Sequence, residues 1–131
     1  MKNPENILVV EDEADLRTII QISLGQIGGF NVKLAGCGNE AINLLDTFTP
    51  DILVTDIMMP GMTGIELAKY FLTQEKYKNI PLVFMTAKMQ VQEIESYQNE
   101  FTKCSIITKP FDPVALPQEI INCWEKFHGK Q

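Results

Sequence analysis

The chain has a single histidine, three cysteines and fewer basic than acidic residues, and no apolar run approaches the length of a membrane span. Each scarcity removes a class of function. Cys37, Cys104 and Cys123 are odd in number and show no C-x-x-C spacing. That pattern speaks against a disulfide framework or a zinc site and for a reducing compartment, with three buried or half-buried free thiols expected. The opening MKNPEN lacks the apolar segment of a secretory signal, so a cytoplasmic location is expected. Eleven Lys and Arg against seventeen Asp and Glu leave a net charge of −6. Phosphate backbones and anionic membranes are repelled by such a chain, and direct nucleic-acid or membrane binding is not expected. His128, the only histidine, lies in the C-terminal tail.

What is present is one domain's worth of alternating pattern. At 131 residues the chain is long enough to bury a sizeable core. ILVV (7–10), DILVTD (51–56), PLVFMT (81–86) and CSIITK (104–109) are near-continuous apolar runs, with a weaker NVKLA at 31–35. Such runs suit strands covered on both faces, as in parallel sheets. Between them lie helical stripes. One is Ala14 to Leu24, expected to stop at Gly25; others are Ala41 to Phe48 and Ile65 to Leu72; the last runs from Pro117 through Ile120, Ile121, Trp124 and Phe127. Met89 to Asn99 is polar and weakly amphipathic, a marginal fourth helix expected to be mobile. The alternation β-α-β-α-β-α-β-α-β calls for a doubly wound parallel sheet with right-handed crossovers.

Ligands of open α/β sheets bind beyond the carboxyl ends of the strands. The first strand delivers Glu11 and Asp12, the third Asp56, the fourth Thr86 and the fifth Lys109. Three acids forced together raise one another's pKa unless a cation sits among them, and an all-oxygen set suits Mg²⁺. A lysine and a hydroxyl opposite that ion are what a phosphoryl group needs for its oxygens, and Asp56 becomes a plausible nucleophile. Taken singly, each residue has a plainer reading. Asp56 could cap a turn and Thr86 could be a strand former. Lys109 could be a surface charge, and Met58, Met59 and Met62 core filler. For Glu13 and Asp15 complementing a helix N-terminus is the preferred role. Joint placement at separate strand ends is what favours a site.

In VVEDE (9–13), TDIMMPGMTG (55–64), MTA (85–87) and KPFDP (109–113) the sequence resembles the receiver domain of two-component response regulators, from about Asn6 to Phe127. The resemblance implies a flavodoxin-like fold of five parallel strands in the order 2-1-3-4-5 with five helices. It implies a single receiver over 4–128 with no effector domain, which is itself phosphorylated rather than acting as an enzyme on another substrate. Its activity would be Mg²⁺-dependent transfer from the phosphohistidine of a histidine kinase or phosphotransfer protein onto Asp56. Asp12 and Asp56 would hold Mg²⁺ directly, Glu11 through water, and the Met58 carbonyl would add a ligand. Thr86 and Lys109 would contact the phosphoryl oxygens, small Ala87 would leave access, and the Lys109–Pro110 peptide would be cis. A downstream protein partner would dock on the face made by the fourth helix, fifth strand and fifth helix.

The sequence departs from that family at three places. Ile106 stands where receivers usually carry Tyr or Phe as part of the switch. Met58 replaces a common polar residue and, orienting water poorly, is expected to slow loss of the phosphate. Lys88 either leans toward the phosphoryl group or is a solvated charge at a helix start. Two other readings compete. GCGNEA, with Gly36, Gly38 and Ala41 before Asp56, fits a dinucleotide-binding fingerprint, but leaves Glu11, Asp12 and Lys109 without roles. On the receiver reading those glycines form a flexible loop before a helix capped by Asn39. The other is a receiver-like binding module that takes no phosphate.

Overall fold

The computed structural model describes residues 3–87, 100–101 and 103–128, the last by its backbone. Its five strands are β1 (Asn6–Val10), β2 (Asn31–Ala35), β3 (Ile52–Asp56), β4 (Leu82–Ala87) and β5 (Cys104–Lys109). They form one parallel sheet in the order β2-β1-β3-β4-β5. Four α-helical segments are found among the described residues: α1 (Ala14–Ile20), α2 (Gly38–Leu44), α3 (Gly64–Thr73) and α4 (Leu116–His128). The helix expected over 89–99 lies outside the described residues, as does Lys88.

Alternate residues of the strands feed two separate cores. Leu8, Val10, Leu53, Leu82 and Phe84 face α2 and α3, while Ile7, Val9, Ile52, Val54, Val83 and Met85 face α1 and α4. Central β1 and β3 are therefore buried along nearly their whole length. Edge strand β2 alternates between exposed and half-covered residues, which is why its sequence signal is weaker.

Five local expectations are corrected. The first helix does not stop at Gly25 but continues as a π-helical stretch, Gln21–Ile27. The Gly28 N–H reaches back to the Ser23 carbonyl at 2.9 Å. A glycine costs an interior helix about 1 kcal/mol, too little to end one that buries Ile20 and Leu24. Ile19 of α1 and Ile22 of the π stretch are more than 40% exposed although their spacing suggested core. Asn39 is not the cap of α2; the cap position is Cys37, whose side chain makes no capping bond. Cys37 is exposed rather than buried, and Met58 is not core filler, being 60% exposed; Met59 is buried.

Candidate functional site at the carboxyl ends of the strands

Parallel register brings the carboxyl ends of the strands level. Val10 pairs with Ala35 and with Thr55, Asp56 pairs with Met85, and Ala87 pairs with Lys109. Glu11 and Asp12 follow β1 directly, Asp56 ends β3, Thr86 is next to last in β4, and Lys109 ends β5. The side chains of Glu11, Asp56 and Thr86 are buried, whereas Asp12 is exposed.

Three of these residues form one charged contact. Lys109 Nζ donates to Glu11 Oε1 at 2.9 Å and stands 3.2 Å from Asp56 Oδ2. The other Glu11 oxygen accepts the Glu13 backbone N–H at 3.2 Å. Burial pushes the Glu11 carboxyl above its usual range, and the Lys109 hydrogen bond and the Glu13 N–H offset that only in part. For Lys109 burial works the other way and would lower its pKa. The hydrogen bond it donates to Glu11 and the charges of Asp56 and Glu11 outweigh it, and the ammonium is held above its usual range. The lysine is thus firmly protonated between two acids.

Carboxylate oxygens of Glu11, Asp12 and Asp56 lie within 4.8 Å of one another. All three donors are hard oxygens, a set that fits Mg²⁺, and exposed Asp12 keeps one side open to water. The loop after β3 is fixed from several directions. The Gly64 N–H bonds to the Ile57 carbonyl at 2.9 Å, and Gly61 takes a positive φ of 76°. A Cβ on Gly64 would strike the Asp56 carbonyl oxygen and lie 2.9 Å from Ile57 Cα. Thr63 and Glu66 close a capping box on α3, so the helix begins where the loop needs to end.

Ala87 is exposed at the end of β4, Ile106 is half-buried on β5 and packs against the α2/α3 core, and the Lys109–Pro110 peptide is cis. Reading the strand ends did not single out Arg17 or Thr55. Arg17 donates from Nη1 to the Glu11 carbonyl at 2.7 Å. The Thr55 hydroxyl, fully buried, donates to the Asp56 carbonyl at 2.9 Å. A threonine inside a fully buried strand beside the acid was the available signal for the second; Arg17 gave none.

A 2-1-3-4-5 sheet with its acids, hydroxyl and lysine gathered at one end is a flavodoxin-like α/β domain built around a single carboxyl-end crevice. Residues 7–121 match the model of the response regulator receiver domain, and the chain belongs to that family. It is 34% identical over 124 residues to the chemotaxis protein CheY of Pseudomonas aeruginosa, covering 94% of this chain and 98% of CheY. Response regulator Rre1 of Synechocystis sp. is also 34% identical over 124 residues, but the chain spans only about half of that protein, 52%. Among solved structures, CheY4 of Vibrio cholerae superposes with a TM-score of 0.81 at 26% identity, covering 91% of this chain and 98% of that one. The dinucleotide reading finds no support among these relatives, and a side chain from elsewhere crowds each of its two glycines: Arg17 at Gly36 and Met62 at Gly38.

Proposed function

We propose that residues 4–128 act as a single receiver module that takes a phosphoryl group from a phosphohistidine onto Asp56. The observation that carries this reading is the Lys109 ammonium held between Glu11 and Asp56 at 2.9 and 3.2 Å. A fixed cation beside a carboxylate at a strand end is suited to attack on an anionic phosphorus centre. An Asp56 carboxylate oxygen forms the new bond to phosphorus as the phosphorus–nitrogen bond of the donor breaks. The electron pair leaves on the imidazole nitrogen, and the acyl phosphate stays on the protein.

Glu11, Asp12, Asp56 and the carbonyl of Met58 would hold Mg²⁺, which supplies charge neutralisation for the phosphoryl oxygens. Lys109 offers its ammonium to one of those oxygens, exchanging part of its contact with Asp56 for it. Thr86, buried at the end of β4, supplies a hydroxyl for another, and Ala87 keeps the approach open. Lys88 and Pro110 flank these groups in sequence. Exposed Asp12 and Met58 leave the crevice accessible to a donor carried by a histidine kinase or phosphotransfer protein. The exposed thioether of Met58 orients water poorly and slows loss of the phosphate.

Phosphorylation adds roughly −1.5 to −2 of charge. Thr86 is drawn toward it, and the change passes through half-buried Ile106 to the surface of β5 and α4, where a downstream protein binds. Intact-mass measurement after incubation with a small phosphodonor and Mg²⁺ tests the reading. Wild type gains one phosphate and Asp56→Asn gains none. A wild type that stays unmodified would overturn the proposal in favour of a binding module that takes no phosphate.

A further inference from the structure

The loop Gly36–Cys37–Gly38 stands unexplained by the acceptor chemistry, yet it lies against Arg17 of α1 and Met62 of the loop that follows Asp56. A Cβ on Gly36 would lie 3.1 Å from Arg17 Nη1 and 3.6 Å from Arg17 Cζ. A Cβ on Gly38 would lie 3.0 Å from Met62 Cβ and Cγ. One glycine therefore seats the guanidinium from α1, and the other seats a side chain from the loop that follows Asp56.

Arg17 is the more consequential of these neighbours. Its Nη1 donates to the Glu11 carbonyl at 2.7 Å, and its own backbone N–H donates to the Glu13 carbonyl at 3.0 Å. Both ends of the turn around Asp12 are thus tied to one residue. The Glu11 N–H is held as well, donating to the Ala35 carbonyl at 3.0 Å, one residue before the glycine seat. The Glu11 Oε2 contact with the Glu13 N–H closes the same turn from inside. Glu40 accepts the Gly36 N–H and so fixes the seat itself.

We infer that Arg17 is a positioning residue. It orients the Glu11–Asp12 peptide so that the two carboxylates converge with Asp56, and Gly36 is the space that lets the guanidinium lie there. The inference rests on the acceptor reading and names the part of the chain that aims its metal-holding acids. Groups that orient ligands without touching the ion typically contribute 10–100-fold to metal affinity.

The sign of the effect separates positioning from plain electrostatics. Arg17 is a cation near three acids, so charge alone makes Arg17→Ala bind Mg²⁺ more tightly. Positioning makes it bind about tenfold more weakly or worse. Calorimetric titration of the phosphate-free protein with Mg²⁺ reads this directly, beside phosphorylation by a small phosphodonor over a range of Mg²⁺ concentrations. The expected result is a dissociation constant raised at least about tenfold in Arg17→Ala, with the extent of phosphorylation recovering at high Mg²⁺. Gly36→Ala nudges the guanidinium without altering any charge and is expected to shift affinity in the same direction by about threefold. It also keeps the test intact if Arg17→Ala does not fold. Unchanged or tighter Mg²⁺ binding in either folded variant overturns the inference while the acceptor reading stands. A wild type that binds no Mg²⁺ overturns both.

Discussion

At the scale of single residues, two buried titratable groups, Glu11 and Cys104, differ in what answers them. Glu11 is buried yet answered by two donors, so it can remain in the interior without a costly orphaned charge. Cys104 has no such answer. Burial pushes its thiol from 9.0 to about 11, with only partial relief from the Lys126 charge. Between those two values the unfolded chain ionises at this position and the folded protein does not. Stability is therefore fully present below about pH 9 and is lost as the pH rises toward 11. Urea midpoints measured at about pH 8 and about pH 10 are expected to fall more for wild type than for Cys104→Ala. Equal falls would remove Cys104 as the cause. Single residues were also where the sequence was hardest to read. Asp56, Glu11, Asp12, Thr86 and Lys109 stand out because strand periodicity says where each strand ends. Arg17 carries no periodic signal, since its partner is a backbone carbonyl six residues earlier, and a carbonyl has no letter in the sequence. Exposure of Met58 and Cys37 was missed for a related reason: side-chain type sets a tendency to be buried, and loop geometry decides.

At the scale of elements, the clearest reading was of the strands. NVKLA and CSIITK match β2 and β5 residue for residue. The first helix was read too short, since a glycine looks like a stop in sequence while buried Ile20 and Leu24 carry the backbone through it in a wider π turn. The junction of β3, its loop and α3 carries Asp56, and it yields a graded prediction. Thr63→Ala removes half of the capping box and is expected to cost about 1 kcal/mol, with Asp56 left in place. Gly64→Ala forces a methyl group against the Asp56 carbonyl and the Ile57 backbone, neither of which is a flexible side-chain end. Its expected cost is at least about 2–3 kcal/mol, together with loss of phosphate uptake. Denaturant unfolding of the two variants beside the mass assay checks the order. A Thr63→Ala variant less stable than Gly64→Ala would refute the assignment of that contact.

For the whole molecule, the topology means that the site belongs to no single segment: Glu11, Asp56, Thr86 and Lys109 come from four different strands or their ends. Any ion held by the three acids therefore stabilises the folded chain and not the unfolded one. Mg²⁺ at about 100 times its dissociation constant adds roughly 2.7 kcal/mol. The expected rise in Tm is roughly 5–10 °C for a domain of this size, and most of it should vanish in Asp12→Asn. A rise of equal size in that variant would place the ion elsewhere. The Lys109–Glu11 bond has one more consequence, which belongs to biosynthesis. Its partners are 98 residues apart in the chain. At 5–20 residues per second a ribosome needs roughly 5–20 s to travel between them. Throughout that interval the nascent chain carries its acids without the lysine that answers them. On the proposed reading, competence to take a phosphoryl group thus arrives only once β5 has been made and Lys109 can reach Glu11 and Asp56.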